Sequence, residues 1–171
     1  MQPALDTTAQ ARLLEQLRLR ARLASAATGT AEWLFTSPED LVLSLGRWGR
    51  PHTLPAGATF GLPGRCFANA NLYAARHPGL YYVEGYALDR IGFAHPHAWC
   101  VDETGTVHDN TWEEPGLAYA GLPFTRDYAQ NAGTDRLVHD HYRDHCRILR
   151  VGFPAGAIAE VGLPLAFPAT A

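Results

Sequence analysis

At 171 residues, with 47% hydrophobic and 18% charged side chains, the chain is long enough for one domain whose core needs no disulfide staples. A net charge of -3 and a pI near 6.2 argue against the clustered basic surface that nucleic-acid binding requires. No run of about 18 apolar residues is present to span a membrane, and the N-terminus lacks the charged-then-apolar layout of a signal peptide. A cytoplasmic location with neither a nucleic-acid nor a membrane partner is therefore expected.

The first predicted element is an amphipathic helix from about Thr8 to Ala27. Leu13, Leu14, Leu17, Ala21 and Ala24 form its apolar stripe, and Asp6, Thr7 or Thr8 is its N-cap. Arg12, Arg18 and Arg22 lie near the other side, where Glu15 interrupts the charge, so a solvated face outweighs a partner surface. Ser37-Pro38-Glu39-Asp40 opens a second helix through Leu45: a serine cap, proline at the first helical position and acids in the first turn agree. Residues 1–50 thus read as N-terminal helices. A turn-rich linker follows from Arg50-Pro51 to Gly64.

A third helix is predicted from Arg65 to about His77, stopped by Pro78-Gly79. Leu80 to Ala87 reads as a strand, and a loop with Gly92 and Pro96 comes next. His97 to Asp102 is a second strand. Glu103-Thr104-Gly105 is a tight turn, and Thr106 to Asp109 completes an antiparallel hairpin. Beyond Trp112 the pattern loosens. Tyr128 to about Cys146 reads as one helix or two, Arg147 to Phe153 as a late strand, and 154–171 as a poorly ordered tail.

Three cysteines, Cys66, Cys100 and Cys146, stand in no CxxC pair, which favours free thiols over a zinc site or a dithiol. Cys66 has a chemical setting. It starts a helix after a glycine-rich turn, where the unpaired amides of the first turn favour a thiolate and can donate to a developing oxyanion. Downstream, His97 and Asp109 lie on the two strands of the hairpin. A histidine facing the sulfur, held by a carboxylate on its other ring nitrogen, is the arrangement that activates a thiol. Whether 97 and 109 share a face depends on the turn. Taken alone, Cys66 reads as an inert buried thiol; His97 and Asp109 tip the balance.

The stretch His97-Ala98-Trp99, followed by Gly105, Val107, Asp109, Thr111 and Trp112, resembles the transglutaminase-like motif: His-Ala-Trp, a hairpin, then Asp-Pro-Thr. That family's nucleophile opens a helix some thirty residues upstream, often after glycine, where Pro63-Gly64-Arg65-Cys66 stands. The resemblance covers roughly residues 60–125 and departs from the pattern at Asn110, where proline is usual. It implies an α+β fold with a papain-like, transglutaminase-like core, in which the helix bearing the cysteine packs on an antiparallel sheet bearing the histidine and aspartate. It also implies that Cys66 is nucleophile, His97 base and acid, and Asp109 the orienting carboxylate. No cofactor or metal is expected.

The activity so implied is hydrolysis of a peptide, protein or small amide through a thioester. Two alternatives stand beside it: acyl transfer to an amine, and a binding domain that keeps the fold without turnover. The side-chain donor for the oxyanion is open among Thr59, Arg65 and Trp48. His95, on the same strand face as His97, is the rival base and a candidate cleft residue. Asn69, one turn after Cys66, is a second. Glu84 is either an edge-strand surface residue or a specificity group. Trp99 and Trp112 fit the core better than a substrate platform, and Cys100 fits the core. His139, His141, His145 and Cys146, with Asp140 and Asp144, raise a third possibility, a metal-dependent hydrolase. The pattern lacks the HExxH spacing, which favours a solvated polar helix. All fourteen basic residues are arginines, so no lysine is available for Schiff-base chemistry or as an internal acyl acceptor.

Overall fold

A computed structural model describes residues 6–28, 32–132, 136–140, 142 and 145–165. The fold is α+β: helices packed on a six-stranded antiparallel sheet. Helix α1 (Thr7–Thr28) is capped by Asp6, whose carboxylate accepts from the amides of Thr8 and Ala9 at 2.9 and 3.2 Å. It buries Leu13, Leu14 and Leu17. Its polar side is not only solvated. Arg20 donates to the Ala94 carbonyl at 2.8 Å, and the Gln16 amide both donates to Gly92 O and accepts from Ala94 N. Helix α2 (Pro38–Leu45) has Ser37 as N-cap, accepting from Asp40 N.

Strand β1 (Arg47–Gly49) follows, then the irregular linker and α3 (Cys66–Arg76). The other strands are β2 (Tyr81–Leu88), β3 (Ala94–Val101), β4 (Val107–His108), β5 (Ala118–Pro123) and β6 (Leu163–Pro164). Helices α4 (Arg126–Ala132) and α5 (Arg147–Val151) fall between the last two. The strand order is β4-β3-β2-β5-β1-β6. A further bridge joins Arg50 to Thr106, with Arg50 N on Gly105 O at 2.8 Å and Val107 N on Arg50 O at 2.9 Å. This contact links the end of β1 to the start of β4, so the sheet curls almost into a barrel. Gly49 permits the approach: a Cβ there would stand 2.6 Å from the Val107 side chain.

Alternation along the strands divides the core in two. Val83, Ala87, Trp99, Val101, Val107 and Tyr119 fill the concave face. Tyr82, Tyr86, Leu88, Ala98, Cys100 and Leu122 face outwards, under α1, α2 and α3. Each fully buried aromatic or aliphatic side chain contributes about 1.5–3 kcal/mol.

Several sequence expectations are corrected here. β3 begins at Ala94 and runs through Pro96. β4 pairs only with Cys100 and Val101, so Pro96 lies on an unpaired edge, the one place in a sheet where its missing N–H costs nothing. Arg147–Val151 is a short helix ended by Gly152 at φ 76°, not a strand, because its amides bond locally back to Cys146 and Ile148. The helix expected from Tyr128 starts at Arg126 and ends at Ala132; the amides of 137–139 are taken by a buried carboxylate instead of a helix ladder. The tail is fixed as far as Leu165. Thr125 N and Ala159 N bond across to Ala157 O and Pro123 O, and β6 pairs with β1. Residues 166–171 lie outside the described residues. No described helix is long and apolar enough to cross a membrane.

Candidate active site

Cys66 is the first residue of α3, with Gly64 at φ 75° turning the chain into the helix. The N-cap, Arg65, makes no side-chain capping bond, so its side chain takes up none of the first-turn amides. The pairings Cys100↔His108 and Val101↔Val107 settle what the sequence left open. Continued by one step, they set Asp109 opposite Trp99, on the same face as His97 and diagonal to it. His97 Nε2 meets Asp109 Oδ2 at 2.8 Å, with both residues 2% exposed.

Nδ1 is then the ring nitrogen left for Cys66. The thiol acts on His97 by hydrogen bonding and by charge. α3 packs on the outer face of β3 while His97 points to the inner one, and the two meet round the strand edge that the short β4 leaves open. Burial lowers the His97 pKa, but the hydrogen bonds and charges of Asp109 and Cys66 outweigh it, and the ring is raised to about 9. At neutral pH the imidazole therefore carries its proton. Cys66 itself is 9% exposed.

Asp109 is held by four donors. Besides His97, the Tyr119 hydroxyl donates to Oδ2 at 2.9 Å, and the amides of Thr111 and Trp112 donate to Oδ1 at 2.9 and 3.2 Å. The Tyr119 oxygen in turn accepts from Gly116 N at 2.7 Å. Burial and the neighbouring Asp109 charge hold the Tyr119 pKa well above its ordinary value, so it stays a donor. The Trp112 ring stacks on His97, with centroids 4.1 Å apart and planes 20° apart, and Trp99 lies beyond at 6.1 Å. Trp112 is therefore a wall of the imidazole's slot, whereas Trp99 is fully buried in the inner core. Tyr119 had no signal in the sequence, because β5 was not read as a strand.

Other candidates fall elsewhere. Asn69 lines a cleft of about 600 Å³ with Gly61, Tyr73 and Asn110, and its amide donates to Leu62 O at 2.9 Å and to Thr111 Oγ1 at 3.0 Å, bracing the turn before Cys66 against the loop after Asp109. Asn110, in the position where proline is usual in the resembling motif, reinforces this brace, with Gly61 N donating to its carbonyl at 2.8 Å. His95 is exposed and bonds Asp89 at 2.7 Å, so its Nε2 is engaged away from Cys66. Cys100 is fully buried and its pKa is pushed up, mainly by desolvation. Trp48 belongs to the packed core, while Thr59 and Arg65 are exposed.

Glu84 is neither at an edge nor at the surface. β2 is central, and the Glu84 carboxylate is fully buried on its outer face, accepting from Tyr82 OH at 2.7 Å and from the amides of Leu137, Val138 and His139 at 2.6, 2.8 and 3.3 Å. Burial raises its pKa and these donors pull part of the shift back. In the histidine cluster, His139 Nε2 bonds Gly85 O at 2.8 Å; His141 and Asp144 lie outside the described residues. Among the described residues no group of three His, Cys, Asp or Glu side chains is placed to hold a metal ion. No protein-family model, no curated protein and no solved structure matches the chain.

Proposed function

We propose that the protein is a cysteine-dependent amide or peptide hydrolase with Cys66 as nucleophile, His97 as acid and base, and Asp109 as orienting carboxylate, on a core of the papain-like, transglutaminase-like kind. The observation that carries this reading is the buried 2.8 Å bond between His97 and Asp109, with Cys66 at the imidazole's other side. In the first step the Cys66 sulfur attacks the carbonyl carbon while His97 holds the proton on Nδ1. The backbone amide of Cys66 donates to the oxyanion. Collapse of the tetrahedral adduct breaks the C–N bond, and His97 passes its proton to the departing amine. The imidazole, now neutral, takes a proton from water, which adds to the thioester and releases the carboxylic acid and the thiol. An amine in place of that water would give acyl transfer.

The slight exposure of Cys66 supports a second reading, a domain that binds without turnover. Trapping separates the two. With an activated ester such as p-nitrophenyl acetate, the first reading expects one acyl group per chain, mapped by mass spectrometry to the Cys66 peptide and absent in Cys66→Ala and His97→Ala. Acylation spread over other residues, or none at all, would contradict it.

A further inference from the structure

A cleft of about 580 Å³ lies between the α1–α2 region and the segment carrying Arg136 and His139. Such a volume suits a small ligand or one to two side chains of a longer one. Its walls are largely apolar: Trp33, Tyr86, Pro96 and Leu149 contribute to them. Two immediate chain neighbours of the reactive residues tie the cleft to the candidate active site. Pro96, on its wall, precedes His97. Phe67, which follows Cys66, carries the Arg136 guanidinium 4.3 Å above its ring and meets the His139 ring edge-on at 5.5 Å.

Arg136 is the cation of this wall, and no ion pair among the described residues neutralises it. It is exposed, it rests on an aromatic face, and no carboxylate among the described residues pairs with it. Its position is not left to a free loop. The next three residues donate their amides to the buried Glu84 carboxylate, and His139 is fastened to Gly85 O. A guanidinium so fixed presents donors in a planar fork suited to a carboxylate. The other polar residues of the cleft are engaged within the protein: Ser37 caps α2, Thr36 bonds Asp40, and Glu39 is hydrogen-bonded to Tyr86.

We infer that this cleft is the substrate subsite next to Cys66, and that it takes an aromatic or bulky apolar acyl side chain whose neighbouring carboxylate is bound by Arg136. The inference rests on Cys66 being the nucleophile, but the subsite can be tested without turnover. N-glutaryl-phenylalanine supplies both features, and N-acetyl-glycine amide neither. Binding is read from the fluorescence of Trp33 on the cleft wall, with Trp33→Phe as the check that the signal arises there. The same measurement is made in Cys66→Ala.

The expected result is saturable binding of N-glutaryl-phenylalanine to the wild type and to Cys66→Ala alike. The affinity falls about tenfold in Arg136→Gln, the loss of one charge-assisted pair. The ligand also slows alkylation of Cys66. No saturable binding, or binding that Arg136→Gln leaves unchanged, would overturn the subsite. Binding that leaves the alkylation rate of Cys66 untouched would overturn its adjacency to the sulfur. Failure of Cys66 to acylate, with binding intact, would overturn the hydrolase reading and leave the subsite standing.

Discussion

Asp109 and Glu84 are two buried carboxylates on opposite faces of one curled sheet, and each is held by four donors. Glu84 takes a tyrosine hydroxyl and three backbone amides. Asp109 takes a tyrosine hydroxyl, two backbone amides and the imidazole of His97. The shells are alike except in that last donor. Around Glu84 every donor is fixed in its protonation state near neutral pH, so the carboxylate can only fasten one segment to another. Around Asp109 one donor titrates, and its second nitrogen faces a thiol. The same investment of buried hydrogen bonds gives a clasp in one place and a proton-handling chain in the other. A buried charged group is thus no sign of chemistry by itself; what it holds decides.

The sharpest test of this contrast is exchange of the carboxylate at each position. Asp109→Asn is expected to reduce kcat/KM by up to roughly 10⁴-fold, because the amide no longer fixes the imidazole tautomer or its charge. Turnover of the acetyl ester by purified, folded variant measures this. The same substitution should change the pH profile. His97 is raised from an ordinary 6.5 to about 9, so the stabilisation gained from its proton is complete below pH 6.5 and disappears as the pH rises through about 9. Denaturant midpoints should therefore show a larger gap between wild type and Asp109→Asn at pH 6 than at pH 10. An equal gap at both would detach the His97 charge from the fold's stability.

Glu84→Ala should act on the fold rather than on turnover: a loss of stability of about 3–5 kcal/mol, from three amides and a hydroxyl left without their carboxylate, read from urea unfolding. Should it cost less than about 1 kcal/mol, the clasp would be dispensable and the comparison would fail on that side. The smallest effect is expected at His95→Ala. His95 is exposed and bonded to Asp89, so turnover should change by no more than about threefold, within the range of a surface substitution. A loss comparable to that of His97→Ala would make His95 the working base.

Most of this contrast was legible in the sequence on the Asp109 side and almost none of it on the Glu84 side. His97 and Asp109 sit in a short hairpin, where pairing is local and the turn residues announce it. Their shared face needed only the register, which the strand pairing supplies. Proline and glycine at both ends of its helix place Cys66 at a helix start, but it was singled out mainly through His97 and Asp109. Glu84 was misjudged because its three amide partners lie more than fifty residues away, and no local pattern says that β2 is central rather than at an edge. β1 and β6 are too short to show alternation, and β5 reads as a loosened AYAGLP in which three small residues and a proline hide a buried strand. Tyr119 and the curl of the sheet were lost with them. Asn69 was placed at a cleft from helical spacing alone; it does line one, but its bonds to Leu62 O and Thr111 Oγ1 had no local signal.

The central claim is that His97, oriented by Asp109, keeps Cys66 reactive. It is tested most directly by the rate of Cys66 alkylation with iodoacetamide as a function of pH, followed residue by residue by mass spectrometry. The account predicts that at neutral pH Cys66 is labelled faster than free cysteine and than Cys100 in the same chain, and that His97→Ala removes the difference. Labelling of Cys66 no faster than free cysteine, or unchanged in His97→Ala, would contradict it.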